Sequence, residues 1–197
     1  AKFRGIVTEL FPFLQLQTSP AVLRDKFQTQ LIGKYNFENV MAAICVGKYF
    51  EVSDEKIKVA IESYSPSNNR SQIVRRGTNT FILDAYNANP SSVNAALENF
   101  FSLPAENKIA ILGDMAELGA VSEEEHREVI SKLKNSKLKM KILLGDEFEK
   151  VFADADKYFL HFKNVGQLKE WFSKQTFENC YFLLKASRVI GLEKLLS

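Results

Sequence analysis

Thr80-Phe81-Ile82-Leu83-Asp84-Ala85-Tyr86-Asn87-Ala88-Asn89-Pro90 decides how the rest of the chain is read. An apolar run ends at an acid, a polar loop follows, and Pro90 opens a helix predicted over Pro90–Phe101. Proline suits a first helical turn, because the N–H it lacks has no partner there. Working back, Ser71–Arg76 and Thr80–Asp84 flank Gly77-Thr78-Asn79, which predicts a hairpin. Working forward, short apolar runs of the buried-strand kind recur at Lys108–Leu112, Lys141–Leu144, Tyr158–Phe162 and Tyr181–Leu184. Helices are predicted between and after them, at Ser122–Leu133, Glu147–Ala153, Val165–Lys174 and Val189–Leu196. Ser122 and Glu125 have capping-box spacing. Strands alternating with helices imply an α/β fold, a mostly parallel sheet with helices on both faces.

The chain before this region reads differently. Phe3–Gln17 looks like two strands, already under way at Ala1-Lys2-Phe3, and Gln28–Ile32 like a third. From Asn36 the spacing turns helical, with Phe37, Val40, Met41, Ile44, Cys45 and Tyr49 on one face. A second helix follows, with Ser53 as N-cap and Ile57, Ala60 and Ile61 facing inward. Ser65-Pro66-Ser67-Asn68-Asn69 is turn chemistry and the best boundary. The expected domains are therefore 1–64 and 65–197.

The bulk numbers narrow the partners. With 197 residues and a net charge of +2, the chain mixes acids and bases. It has no basic stretch long enough for a nucleic-acid footprint. The lysines between 132 and 141 read as a solvated helix end. Cys45 and Cys180 lie among apolar residues without metal-ligand spacing, so both are expected to be buried in a reducing compartment. No signal peptide is visible, and no apolar run reaches the roughly 18 residues of a membrane span. Together these point to the cytoplasm.

Chemistry collects at one edge. In an open α/β sheet, ligands bind beyond the carboxyl ends of the strands. Those ends read Asp84-Ala85-Tyr86-Asn87, Gly113-Asp114-Met115, Gly145-Asp146 and Lys185-Ala186-Ser187-Arg188. A single strand-end Asp or Gly is ordinary turn chemistry; several at one edge point to a site. Neither G-x-x-x-x-G-K-[ST] nor G-x-G-x-x-G occurs, so no complete phosphate cradle is present. His126 and His161 suggest no Ser-His-Asp arrangement, and no metal cluster is legible.

Four strings together resemble the Mur ligase family, and the MurF type within it. Asp84–Pro90 is similar to D-x-Y-N-A-N-P. Leu112-Gly113-Asp114-Met115-Ala116-Glu117-Leu118-Gly119, with His126 downstream, is similar to L-G-D-M-x-E-L-G. Gln30–Asn39 resembles the end of the family's central ATPase domain, with Tyr35 where many members have His. Lys185-Ala186-Ser187-Arg188 with Gly191-Leu192-Glu193 resembles K-G-S-R … G-L-E, with Ala186 for Gly.

The resemblance implies a Rossmann-like C-terminal domain preceded by the tail of a P-loop ATPase domain. The P-loop and metal ligands would lie upstream. ATP and Mg²⁺ are the implied cofactors; UDP-N-acetylmuramoyl-tripeptide and D-Ala-D-Ala are the implied substrates. Arg70 is the implied catalytic cation on the ATP phosphates. Asp84 would take the ribose hydroxyls, Asn36 and Asn39 the adenine edge, and Tyr86 and Asn87 the nucleotide loop. Asn87, Asn89, Lys185, Ser187 and Arg188 would meet the dipeptide, the last three its carboxylate. Asn36 serves equally well as a plain N-cap, and Tyr86, Asn87 and Asn89 as a polar turn. The roles of Asp114, Glu117 and His126 stay open. A stand-alone nucleotide-binding or interaction module, or a Mur- or folylpolyglutamate-type ligase with another acceptor, is the competing reading.

Overall fold

The computed structural model describes residues 4–19 and 26–197. The strand reading at Ala1-Lys2-Phe3 lies outside the described residues. The chain separates into two compact units, residues 1–66 and 67–197.

In the first unit, β1 (Arg4–Glu9), β2 (Gln15–Ser19) and β3 (Phe27–Gln28) form an antiparallel sheet in that order. Two helices follow, α1 (Asn36–Tyr49) and α2 (Asp54–Ser63). Leu14, Leu16 and Phe27 pack with Val40, Ile44, Ile57 and Ile61. The third strand is shorter than Gln28–Ile32. Beyond its end Leu14 keeps backbone bonds to Thr29 (3.2 Å) and Leu31 (2.8 Å), and the Thr29 hydroxyl donates to Leu14 O (2.7 Å) and accepts from the Leu31 N–H (3.1 Å). Cys45 is exposed, against expectation, as is Tyr49. The cause is α1's composition: apolar residues occur all around it, so spacing alone cannot say which stripe is buried. Ser53 precedes α2 in extended conformation, but its side chain makes no capping bond.

The second unit holds β4 (Gln72–Arg76), β5 (Asn79–Asp84), β6 (Lys108–Gly113), β7 (Met140–Leu144), β8 (Phe159–Phe162) and β9 (Tyr181–Lys185). The sheet order is β4-β5-β9-β6-β7-β8; only β4 and β5 pair antiparallel, as the expected hairpin. Helices α3 (Pro90–Ser102), α4 (Ser122–Lys134), α5 (Asp146–Val151) and α6 (Val165–Phe172) connect the strands. One sheet face, with Phe81, Leu83, Ile109, Ile111, Phe182 and Leu184, packs on Leu168 of α6 and on Leu192, Leu195 and Leu196. The alternate residues Ile82, Ala110, Leu112, Leu143 and Leu183 point to the other face. They are buried, as are Leu97 and Phe100 of α3 and Val129, Ile130 and Leu133 of α4.

Local chemistry explains the element ends. The Asn89 side-chain Oδ1 accepts from the Ser92 N–H (2.9 Å), and Ser92 Oγ accepts from the Asn89 N–H (3.1 Å), a reciprocal cap ahead of Pro90. Helix α4 lacks the expected capping box, because Ser122 is already helical and its hydroxyl donates to Glu147 (2.6 Å). The expected helix Val189–Leu196 is two 3₁₀ segments, Arg188–Ile190 and Leu192–Leu196. They are parted by Gly191 at φ +66°, a left-handed conformation that breaks a continuous helix. Among the described residues no helix is long and apolar enough to cross a membrane.

Candidate functional site

The carboxyl ends of β5, β9, β6 and β7 lie side by side, and they divide into two halves. At the β5–β9 half, Arg70 leads into the sheet between two anchors. The Tyr86 N–H donates to Asn69 O (3.2 Å), and the Ser71 N–H donates to Asp84 Oδ1 (3.2 Å). Asn69 (φ +59°) and Ser71 (φ +52°) are both left-handed without being glycine. Each costs on the order of 1 kcal/mol. Those two anchors hold the turn and leave the Arg70 side chain exposed. Its guanidinium carbon lies 3.9 Å from the centre of the Tyr86 ring, and that of Arg188 lies 5.3 Å from the same centre. Neither arginine forms an ion pair with a carboxylate among the described residues. A hydrogen bond from Arg70, then the charges of Arg70 and Arg188, hold the Tyr86 phenol below its ordinary pKa. Two guanidiniums without carboxylate partners beside one aromatic ring can receive an anion.

The remaining residues at this half are turned inward. Lys185 is 3% exposed; its Nζ lies 3.0 Å from Asp84 Oδ2 and donates to Asn87 O (2.7 Å). Ser187 is buried, with its hydroxyl on Asp114 O (2.6 Å). Lys185 and Ser187, expected at the dipeptide carboxylate, thus each have internal partners that hold them in the fold. Asn89, exposed, caps α3 with its side-chain oxygen. Asn87 is exposed; its side-chain Oδ1 accepts from the Ala88 N–H (2.9 Å), which leaves the amide NH₂ available. Ala186 is fully buried. A Cβ on Gly113 would sit 2.8 Å from the Ala186 Cβ, so Ala186 fits because Gly113 has none.

At the β6–β7 half, Asp114 accepts from the N–H groups of Glu147 and Phe148 (2.9 Å each), closing the start of α5 from across the sheet. Burial pushes its carboxyl up, against those two N–H groups, which favour the ionised form. Gly145 (φ +116°) must be glycine, because a Cβ there would meet Asp114 Oδ2 at 2.3 Å. His126 is fully buried. Its Nε2 accepts from the Met115 N–H (3.1 Å), so the proton is on Nδ1, facing Ser122 O (2.7 Å). Asp114 Oδ1 lies 3.9 Å from an unprotonated nitrogen and forms no ion pair with it. Glu147 is held below the usual carboxylate range by Lys150 first and by Ser122 second. Glu117 is exposed, in the left-handed region (φ +65°). No group of three His, Cys, Asp or Glu able to hold a metal ion occurs among the described residues.

In the first unit, Asn36 is buried inside α1's first turn and is not its N-cap, a position held by Tyr35. Its amide donates to Ile32 O (2.8 Å) and accepts from Asn39 (3.1 Å), which leaves Asn39, exposed, with a free side-chain carbonyl. Asn69 and Ser71, the anchors of Arg70, went unnoticed in the sequence. The available signal was Asn-Arg-Ser in a turn, since Asn tolerates the left-handed region.

Comparison with known proteins gives this geometry a family. Residues 69–188 match the family described as Mur ligase, glutamate ligase domain. The UDP-N-acetylmuramoyl-tripeptide--D-alanyl-D-alanine ligase of Treponema pallidum is 30% identical over 198 residues, 98% of this chain and 43% of that protein. The ligase of the same name from Bacillus subtilis is 28% identical over 180 residues, 88% of this chain and 39% of that protein. The chain thus spans about two fifths of these relatives' length. Among solved structures, MurF from Acinetobacter baumannii aligns with a TM-score of 0.78 at 24% identity, covering 93% of this chain and 41% of that one. MurF ligase from Thermotoga maritima in complex with ADP aligns with a TM-score of 0.74 at 19% identity, covering 98% and 45%. Both share the fold. The match across residues 69–188, which runs from the anchor of Arg70 to Arg188 itself, makes this chain a member of the Mur ligase family.

Proposed function

We propose that the chain is the C-terminal part of a cytoplasmic MurF-type ligase, which joins D-alanyl-D-alanine to UDP-N-acetylmuramoyl-tripeptide using ATP and Mg²⁺. One observation carries the reading: two guanidiniums without carboxylate partners converge on Tyr86 within the Asp84–Pro90 string, at the carboxyl edge of a parallel sheet. The overall chemistry asks for such a site. A carboxylate has no good leaving group until it is phosphorylated, and the acceptor amine must then reach the acyl phosphate.

In this reading Arg70 contacts phosphate oxygens and acts as the catalytic cation, and Arg188 takes the dipeptide carboxylate beside it. That proximity brings the acceptor close to the reacting carbon. The available amide NH₂ of Asn87 lines the same loop. The part of Asp84 not engaged by Ser71 and Lys185 remains an acceptor for ribose hydroxyls. Asn39, oriented by Asn36, contributes an amide to adenine. The first unit is the tail of the central ATPase domain, and the metal ligands belong to residues outside this chain. The names of the sequence relatives support the substrate assignment.

The test is kinetic, in the complete ligase. Arg188→Ala should raise KM for D-Ala-D-Ala about ten- to a hundredfold, the worth of one charge-assisted hydrogen bond, while KM for UDP-tripeptide stays near wild type. An unchanged dipeptide KM places the carboxylate elsewhere. Loss confined to ATP kinetics makes both arginines phosphate ligands. The 197-residue chain alone should release no phosphate above blank with all substrates present. Turnover by the chain alone would contradict the assignment of the ATPase machinery to residues outside it.

A further inference from the structure

The peptide unit between Asp114 and Met115 is gripped at both ends. Its N–H donates to Nε2 of the buried His126 (3.1 Å). Its carbonyl oxygen accepts twice from Ser187, from the N–H (3.1 Å) and from the hydroxyl (2.6 Å). A trans peptide carries its N–H and C=O in opposite directions on one rigid plane. His126 on α4 and Ser187 at the exit of β9 are therefore coupled through a single plane between them. The plane is fixed further by the Asp114 carboxylate on α5 and by the Asp114 N–H, which donates to Leu144 O (3.0 Å). The residue after Ser187 is Arg188, exposed and directed at Tyr86.

We propose that His126, acting through the Asp114–Met115 peptide and Ser187, is a positioning residue that aims Arg188 at Tyr86. Histidine suits the post for a specific reason. A backbone N–H needs an acceptor there, and His126 offers an unprotonated ring nitrogen while its Nδ1–H is held on Ser122 O (2.7 Å). The Phe148 ring packs edge-to-face against it at 4.6 Å and keeps water from competing. No atom of His126 touches the exposed arginine patch, so its effect there must pass through the peptide plane. The ligand role of Arg188 rests on the function proposed above; the aiming does not.

The Tyr86 phenol reports the aim, because the Arg188 charge is one of the causes that lower its pKa. In the 197-residue chain, tyrosine ring-carbon NMR follows each phenol through its titration, and Tyr86→Phe identifies the resonance among six tyrosines. Arg188→Ala should raise the Tyr86 pKa. Ser187→Ala and His126→Phe should raise it in the same direction and approach that value. His126→Gln, whose amide oxygen can still accept, should stay near wild type. The proposal is overturned if either His126→Phe or Ser187→Ala leaves the Tyr86 titration unchanged while Arg188→Ala moves it, or if Arg188→Ala moves nothing. Should His126→Phe fail to fold, His126→Leu, which also lacks an acceptor for the Met115 N–H, takes its place in the same comparison. The function proposed above fails separately: the phenol would shift as expected, while Arg188→Ala in the complete ligase would leave all kinetic constants at wild type.

Discussion

Two neighbouring stretches of one sheet edge carry similar residues and do opposite things. Beyond β5 and β9, Arg70 and Arg188 are exposed, without carboxylate partners, and both lie near the Tyr86 ring. Beyond β6 and β7, Asp114 and His126 are buried, and the hydrogen-bonding atoms described for them meet backbone groups. Lys185 belongs by sequence to the first stretch and by environment to the second. A charged residue in a recognisable string is thus either a contact or a support for one, and burial with satisfied partners separates them. A buried charge already paired resists recruitment, because freeing it strands its partner.

Substitutions can break this division, most strongly at the supports. Lys185→Ala should lower unfolding free energy by about 3 kcal/mol, because Asp84, itself largely buried, is left without its cation. Adding Asp84→Asn should recover part of the loss, and urea titration of both variants checks it. Asp114→Ala should lose roughly 2–3 kcal/mol by the same measurement, since two N–H groups at the start of α5 lose a charged acceptor. Asn89→Ala should lose about 1 kcal/mol, the worth of an N-cap. Arg70→Ala and Arg188→Ala should change stability by no more than about 0.5 kcal/mol, as exposed positions do. A loss at either arginine as large as at Lys185 would erase the distinction between the two halves.

Much of the fold was legible because it is written in short-range signals. Apolar runs of strand length, Gly77-Thr78 in the hairpin, and Asn89-Pro90 before α3 each report on a few adjacent residues. The candidate edge was legible for the same reason, since the sequence shows where the parallel strands end. The assignment of partners was not. Whether Lys185 meets solvent or Asp84 depends on β5 and β9 being neighbours, a pairing across about a hundred residues that no local pattern encodes. The close approach at Gly145 comes from Asp114, beyond the end of β6. The burial of α1 was misread at Cys45 because a helix apolar on every side gives its spacing no direction. The last segment was misread because one residue, Gly191, turns a helical composition into two 3₁₀ pieces.

The central claim is that exposed arginines without carboxylate partners at the β5–β9 edge act on the ligand while their buried neighbours hold them in place. Arg70→Ala in the complete ligase tests it most directly, with ATP-dependent phosphate release and urea unfolding measured on the same preparation. The account predicts that kcat falls about a hundredfold, the scale of losing one charge-stabilising donor in a reaction site. The unfolding free energy should stay within about 0.5 kcal/mol of wild type. Wild-type kcat in a normally folded Arg70→Ala ligase would contradict the account.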